Sequence, residues 1–261
     1  MAAAVKVKPD IKSGVTAQGK YVFGADGSAY GFNNNRSVER LNQMLDSSME
    51  KFSVEPRAAI DLRSLVKPPS GRKWPEGGSV VRSFTRVRPI PEGCDPMNEN
   101  VARDHLWILA EESASLALHK FPESLATRMC RFSLVDNVRG EPDHWKSHEV
   151  EMSEFWPSGE GEFTGIFSMH TKDGARGLQG MVTVEVGHKE GKLSKFVAYA
   201  SAAAWGRSTY TPGEPPGRFP LAFGFILVDD EISRIVPPQA VVHGSEYLGR
   251  SSTGLAMWTT R

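Results

Sequence analysis

Residues 181–199 read MVTVEVGHKEGKLSKFVAY. Met181, Thr183 and Glu185 alternate with Val182, Val184 and Val186, a period of two that puts the valines on one face of a strand. Glu190-Gly191-Lys192 supplies a turn, and Leu193, Phe196, Val197 and Tyr199 begin a return run. Such a stretch sits half-buried, one face on a core and the other in water, which is the habit of antiparallel sheets.

The same period extends upstream. Val150, Met152 and Phe155 interleave with Glu149, Glu151 and Glu154, and Phe163, Ile166, Phe167 and Met169 follow before the turn residues Asp173-Gly174. Downstream, 206–220 is a long Pro/Gly loop. Leu221 to Val228 is nearly all apolar and reads as a central strand. Residues 79–88 read as a further strand, ended by Pro89 and Pro91.

Between these strands the pattern changes. Asp95-Pro96 has the form of a cap with proline at the first helical position, and Ala102, Leu106, Leu109, Ala110, Ser113, Leu116 and Ala117 make one face. This predicts a single long helix reaching Ala117. Pro122 opens a second, short helix with Leu125, Met129 and Phe132 on one side. After Asp229-Asp230-Glu231 the chain reads as irregular, through Pro237-Pro238.

At the N-terminus, 1–19 is a polar lead-in. Tyr21-Val22-Phe23, the Asp26-Gly27 turn and Ala29 to Phe32 predict a hairpin. Ser37 is placed to cap a helix over 38–52, with Val38, Leu41, Met44, Leu45 and Phe52 at helical spacing. Pro56, Pro68, Pro69, Gly71, Pro75, Gly77 and Gly78 make 54–78 a linker. The expected architecture is α+β: a lead-in and ββα unit over 1–53, then a domain over 79–261 in which a curved antiparallel sheet packs on the long helix.

The run from Tyr21 to Phe32 with the helix after it resembles the closing strand–turn–strand–helix of thioredoxin-like proteins, where the hairpin carries an Asp-Gly turn and the helix packs on the sheet. The resemblance covers about 30 of the 261 residues. The most it implies is either a chain that begins partway through a longer protein or a likeness that is only local. It implies no thiol–disulfide activity, because no CxxC pair is present. Residues 54–261 resemble no family.

Composition narrows the function. Lys plus Arg and Asp plus Glu are 31 each, a formal charge of zero, which argues against a nucleic-acid binder. No run of 18 apolar residues exists to span a membrane, and no signal peptide is visible. Cys94 and Cys130 lie too far apart in sequence for a redox motif or thiolate zinc site; they read as two separate thiols with Cys130 in the core, with one disulfide as the alternative in an oxidising compartment. P-loop, dinucleotide-binding, zinc-protease and nucleophile-elbow motifs are all missing.

Four groups of residues carry candidate chemistry. The loop 206–220 is long enough to serve as a lid or binding loop. Trp205, Tyr210 and Phe219 are its aromatic anchors and Arg207 and Arg218 its anion-binding groups. In Asp143-His144-Trp145-Lys146-Ser147-His148-Glu149, a helical turn would bring His144 and His148 to one face, with Glu149 beside them, as ligands of a divalent metal. In a strand the two imidazoles would lie too far apart. A third group, His105, Glu112 and His119, would form a line on the long helix, while His170, Asp173 and His188 would gather at one end of a strand pair. The leading expectation is a non-catalytic module with a small-molecule or protein-partner site under the 206–220 loop. The alternatives are a metal-assisted hydrolase or lyase using His144 and His148, and a structural subunit of a larger assembly.

Overall fold

The structure is a computed structural model that describes residues 19–24, 29–35, 37–52, 75–230, 233–234 and 236–248. The chain divides into two compact units, 1–67 and 68–261.

In the first unit, β1 (Lys20–Phe23) and β2 (Ala29–Asn33) pair antiparallel, with Tyr21 opposite Phe32 and Val22 opposite Gly31. The Asp26-Gly27 turn expected between them lies outside the described residues. Helix α1 (Val38–Lys51) starts at Ser37, whose hydroxyl accepts the Arg40 N–H at 3.4 Å. A Cβ at Gly31 would strike the Ser48 hydroxyl and the Met44 sulfur, so the missing side chain lets the helix lie directly on the hairpin.

The second unit is built on a seven-stranded antiparallel sheet. In chain order its strands are β3 (Ser79–Val87), β4 (Ala102–Ile108), β5 (Val150–Gly159), β6 (Glu162–His170), β7 (Gly177–Lys189), β8 (Lys192–Trp205) and β9 (Arg218–Val228). In space the order is β4-β3-β9-β8-β7-β6-β5. The meander β5 to β9 follows the alternation of the sequence, and β9 is interior, between β3 and β8. Glu190 and Gly191 both have positive φ, 54° and 74°, which matches the twist of a two-residue hairpin. Alternate residues face inward: Phe219, Leu221, Phe223 and Phe225 on β9, and Ala198, Ala200, Ala202 and Ala204 on β8. Leu116, Leu125, Met129, Cys130 and Leu134 join the same core. Cys94 and Cys130 are both free thiols. Cys130 is fully buried, and burial pushes its thiol up to about 11.

The expected long helix does not form. Pro96–Glu99 is one 3₁₀ turn held by the Asp95 carboxylate, 102–108 is β4, and only Ala110–Ala117 is helical (α2). The Leu and Ala spacing that fits a helix also fits a strand at Leu106 and Ile108, and pairing with β3 decides the outcome. The short helix after Pro122 is α3 (Glu123–Arg128), which widens into a π turn over Met129–Ser133. The C-terminal stretch expected to be irregular contains a 3₁₀ helix, Gln239–His243, and a single turn, α4 (Ser245–Leu248). Ala240 and Tyr247 are buried there with Val80, Trp107 and Phe132 in a second cluster. No helix among the described residues is long and apolar enough to cross a membrane.

Candidate functional site

The site begins with Trp145. Its indole N–H donates to the Leu134 carbonyl at 3.0 Å, and its backbone N–H donates to the Arg131 carbonyl at 3.0 Å. The Arg131 side chain returns a bond to the Trp145 carbonyl at 3.0 Å. These bonds hold the buried tryptophan in place and with it the chain that carries His144. Residues 141–146 form no helix or strand, and 147–149 is a single 3₁₀ turn ahead of β5.

This geometry determines the histidine partners. His144 Nδ1 lies 2.9 Å from His243 Nε2, a contact between residues 99 positions apart. Both imidazoles lie against Phe132, with ring centroids at 5.5 Å in each case. Burial pushes His144 down to about 4, helped by His243, Arg176 and Arg131 and opposed by Asp143. His144 is therefore neutral near pH 7 and shares one hydrogen bond with its partner ring. His148 points elsewhere. It is exposed and lines no part of the cleft that holds His144. Buried Glu149 instead accepts the Lys146 N–H at 2.9 Å. Among the described residues, no group of three or more His, Cys, Asp or Glu side chains is placed to hold a metal ion. His144 and His243 contribute two imidazoles to the set, and the flanking carboxylates Asp143, Glu149 and Glu246 are already bonded within the fold.

His144 and His243 line a cleft of about 1120 Å³. Its walls come from four places: the π turn (Arg131, Phe132), the 143–149 segment, the turn between β6 and β7 (Thr171 to Arg176), and the start of the loop after β8 (Arg207, Ser208, Thr209). The C-terminal His243 and Glu246 complete it. The Arg176 guanidinium lies 3.9 Å over the Trp145 ring and donates to the Asp143 carbonyl at 2.8 Å. The Asp143 carboxylate accepts the Thr209 N–H and hydroxyl at 3.0 and 3.1 Å, tying the loop to the histidine segment.

The loop itself spans 206–217, since β9 begins at Arg218. It is packed rather than loose. Ser208 and Thr211 bond to each other, and the Gly213 carbonyl accepts from Asn98. Of the five loop residues expected to bind ligand, Arg207 alone lines the cleft. Trp205 closes the β8 end, donates to the Gly174 carbonyl at 3.0 Å and is covered by Arg218 at 4.3 Å. Phe219 is 1% exposed, an inward residue of β9 whose ring belongs to the core. Tyr210 is exposed and outside the cleft lining.

The other expected histidine groups are dispersed. His105 is on β4, Glu112 forms a buried ion pair with Arg128 at 2.7 Å, and His119 accepts the Gly161 N–H. His170 and His188 lie at opposite ends of the β6–β7 pair, because His170 pairs with Gly177, the first residue of β7, and His188 is near its last. The residues that sequence reasoning missed are Arg131, Arg176, His243 and Glu246. None carries a local motif, and only the docking of 239–248 brings the last two to the cleft.

Comparison of the chain with protein-family models, with curated proteins and with solved structures returned no match.

Proposed function

We propose that the second unit is a binding module that holds a small molecule in the cleft between the 206–217 loop and the 143–149 segment. The observation that carries this reading is the convergence of five sequence-distant stretches on one concave, mixed polar and aromatic surface of about 1120 Å³. Its parts are cross-tied by Thr209 to Asp143, Arg176 to Asp143 and Arg131 to Glu246, so the surface is organised before any ligand arrives. The test is a small-molecule screen by thermal shift, with hits mapped by amide hydrogen exchange. The expected hits protect 143–149, 171–176 and 207–209. Hits that map only to the outer face of the sheet refute the reading.

A second reading rests on the hydrogen-bonded pair His144 and His243. A neutral imidazole paired with another in a cleft is the equipment of acid–base chemistry, which supports a hydrolase or lyase at the same place. This reading uses His243 where the sequence suggested His148. Turnover of any cleft ligand that is abolished by His243→Gln, with binding retained, supports it over plain binding.

A further inference from the structure

Five cationic side chains line the cleft, Arg131, Lys146, Lys172, Arg176 and Arg207, against four carboxylates. The carboxylates are all engaged within the fold. Asp143 holds Thr209, Glu149 holds the Lys146 N–H, and Asp173 holds the Thr171 hydroxyl at 2.6 Å and the Ala175 N–H at 3.1 Å. Glu246 holds Arg131 at 2.7 Å. The cations are not matched in the same way. Lys146 and Lys172 have no carboxylate partner among the described residues, and the carboxylate that faces Arg207, on Glu214, stands at 4.0 Å. These three groups come from three different walls. Behind them, Arg176 is held flat on Trp145, and Arg131 is held by Glu246 and the Trp145 carbonyl.

Hydrogen bonding leaves those carboxylates charged, so five cations against four carboxylates give the lining a net charge of only one positive. What it offers an anion is three cationic donors, on three walls, that no carboxylate among the described residues approaches closer than 4.0 Å. The volume exceeds what one monatomic ion fills. Resting on the reading that this cleft is a ligand site, we propose that the ligand is a small organic molecule bearing two or more negative charges as carboxylate or phosphate groups. Lys146, Lys172 and Arg207 bind those charges directly.

The test uses the full chain in low-salt buffer, with citrate, pyrophosphate and a set of neutral fragments as probes in calorimetry. Citrate or pyrophosphate is expected to bind. Each of Lys146→Gln, Lys172→Gln and Arg207→Gln is expected to weaken it by roughly tenfold, the loss of one charge-assisted bond. Raising salt from about 0.05 to about 0.5 M should weaken it further. These residues are on the surface, so the variants fold, and unchanged melting curves verify this. Preference for citrate identifies carboxylates, and preference for pyrophosphate identifies phosphates. Anion binding that is indifferent to all three variants overturns the proposal. So does a neutral fragment that binds in the cleft when both anions do not, but the binding-module reading then survives. Failure of every probe removes both.

Discussion

Replacing Glu112 by Gln should strongly destabilise the second unit. Glu112 and Arg128 are each 1% exposed and meet at 2.7 Å. The carboxylate also accepts the Leu109 N–H at 2.9 Å and the Ser124 hydroxyl at 2.5 Å. Arg128 donates further to the Trp107 carbonyl at 3.1 Å and the Tyr247 carbonyl at 2.7 Å. Glutamine keeps the shape but leaves a guanidinium buried without its counter-charge, a loss of about 3–5 kcal/mol. At about 2–4 °C per kcal/mol for a unit of this size, the melting point should fall by roughly 6–20 °C. The same arginine anchors Tyr247, so hydrogen exchange in 239–248 should accelerate more than in β7 and β8. Urea unfolding and exchange mass spectrometry on the full chain measure both effects. The paired change Glu112→Leu with Arg128→Met removes both charges and should recover much of the loss. A Glu112→Gln variant within about 1 kcal/mol of the parent, or a double variant no better than the single, would refute the argument that the ion pair is a buried, mutually dependent unit.

Three further outcomes follow from the same structure. His144 falls from 6.5 to about 4, so the unfolded chain takes its proton first; the stability this site contributes is complete above pH 6.5 and is lost as pH drops toward 4, an effect on the order of 3 kcal/mol that His144→Phe should abolish in pH-dependent unfolding. Burial raises Asp104 from 3.8 to about 6 while its carboxylate accepts the Gln239 N–H, so stability falls as pH rises through that window; Asp104→Asn should stabilise by about 3 kcal/mol at pH 8 and by little at pH 4. Gly206 has φ 69°, and a Cβ there would collide with the Ala175 carbonyl, so Gly206→Ala should cost about 1–3 kcal/mol and raise hydrogen exchange at 171–176 and 207–209 before it affects the sheet.

The meander was legible from local patterns. Alternation along Met181 to Val186 and along Phe163 to Met169, with turn residues at Asp173-Gly174 and Glu190-Gly191, specifies strands and their faces, because a period of two has one sheet solution. The same holds for α1, whose cap Ser37 and apolar spacing are local signals, and for the interior place of β9, whose apolar run has no polar face to show to water. The stretch from Ala102 to Ala117 went the other way. Its spacing satisfies a helix and a strand alike, and hydrogen bonding to β3, a segment far away in sequence, made 102–108 a strand. The candidate site was legible only in fragments. His144, Glu149 and Arg207 stood out as chemical groups, but their partners did not. His243 reaches His144 because Tyr247 and Ala240 are buried against Trp107 and Phe132, and Arg176 reaches Trp145 because the β6–β7 register brings its turn there. Local patterns fix how each segment folds. Which side chains share a cleft depends on how segments separated by tens of residues pack, and that was decided by the tertiary structure alone.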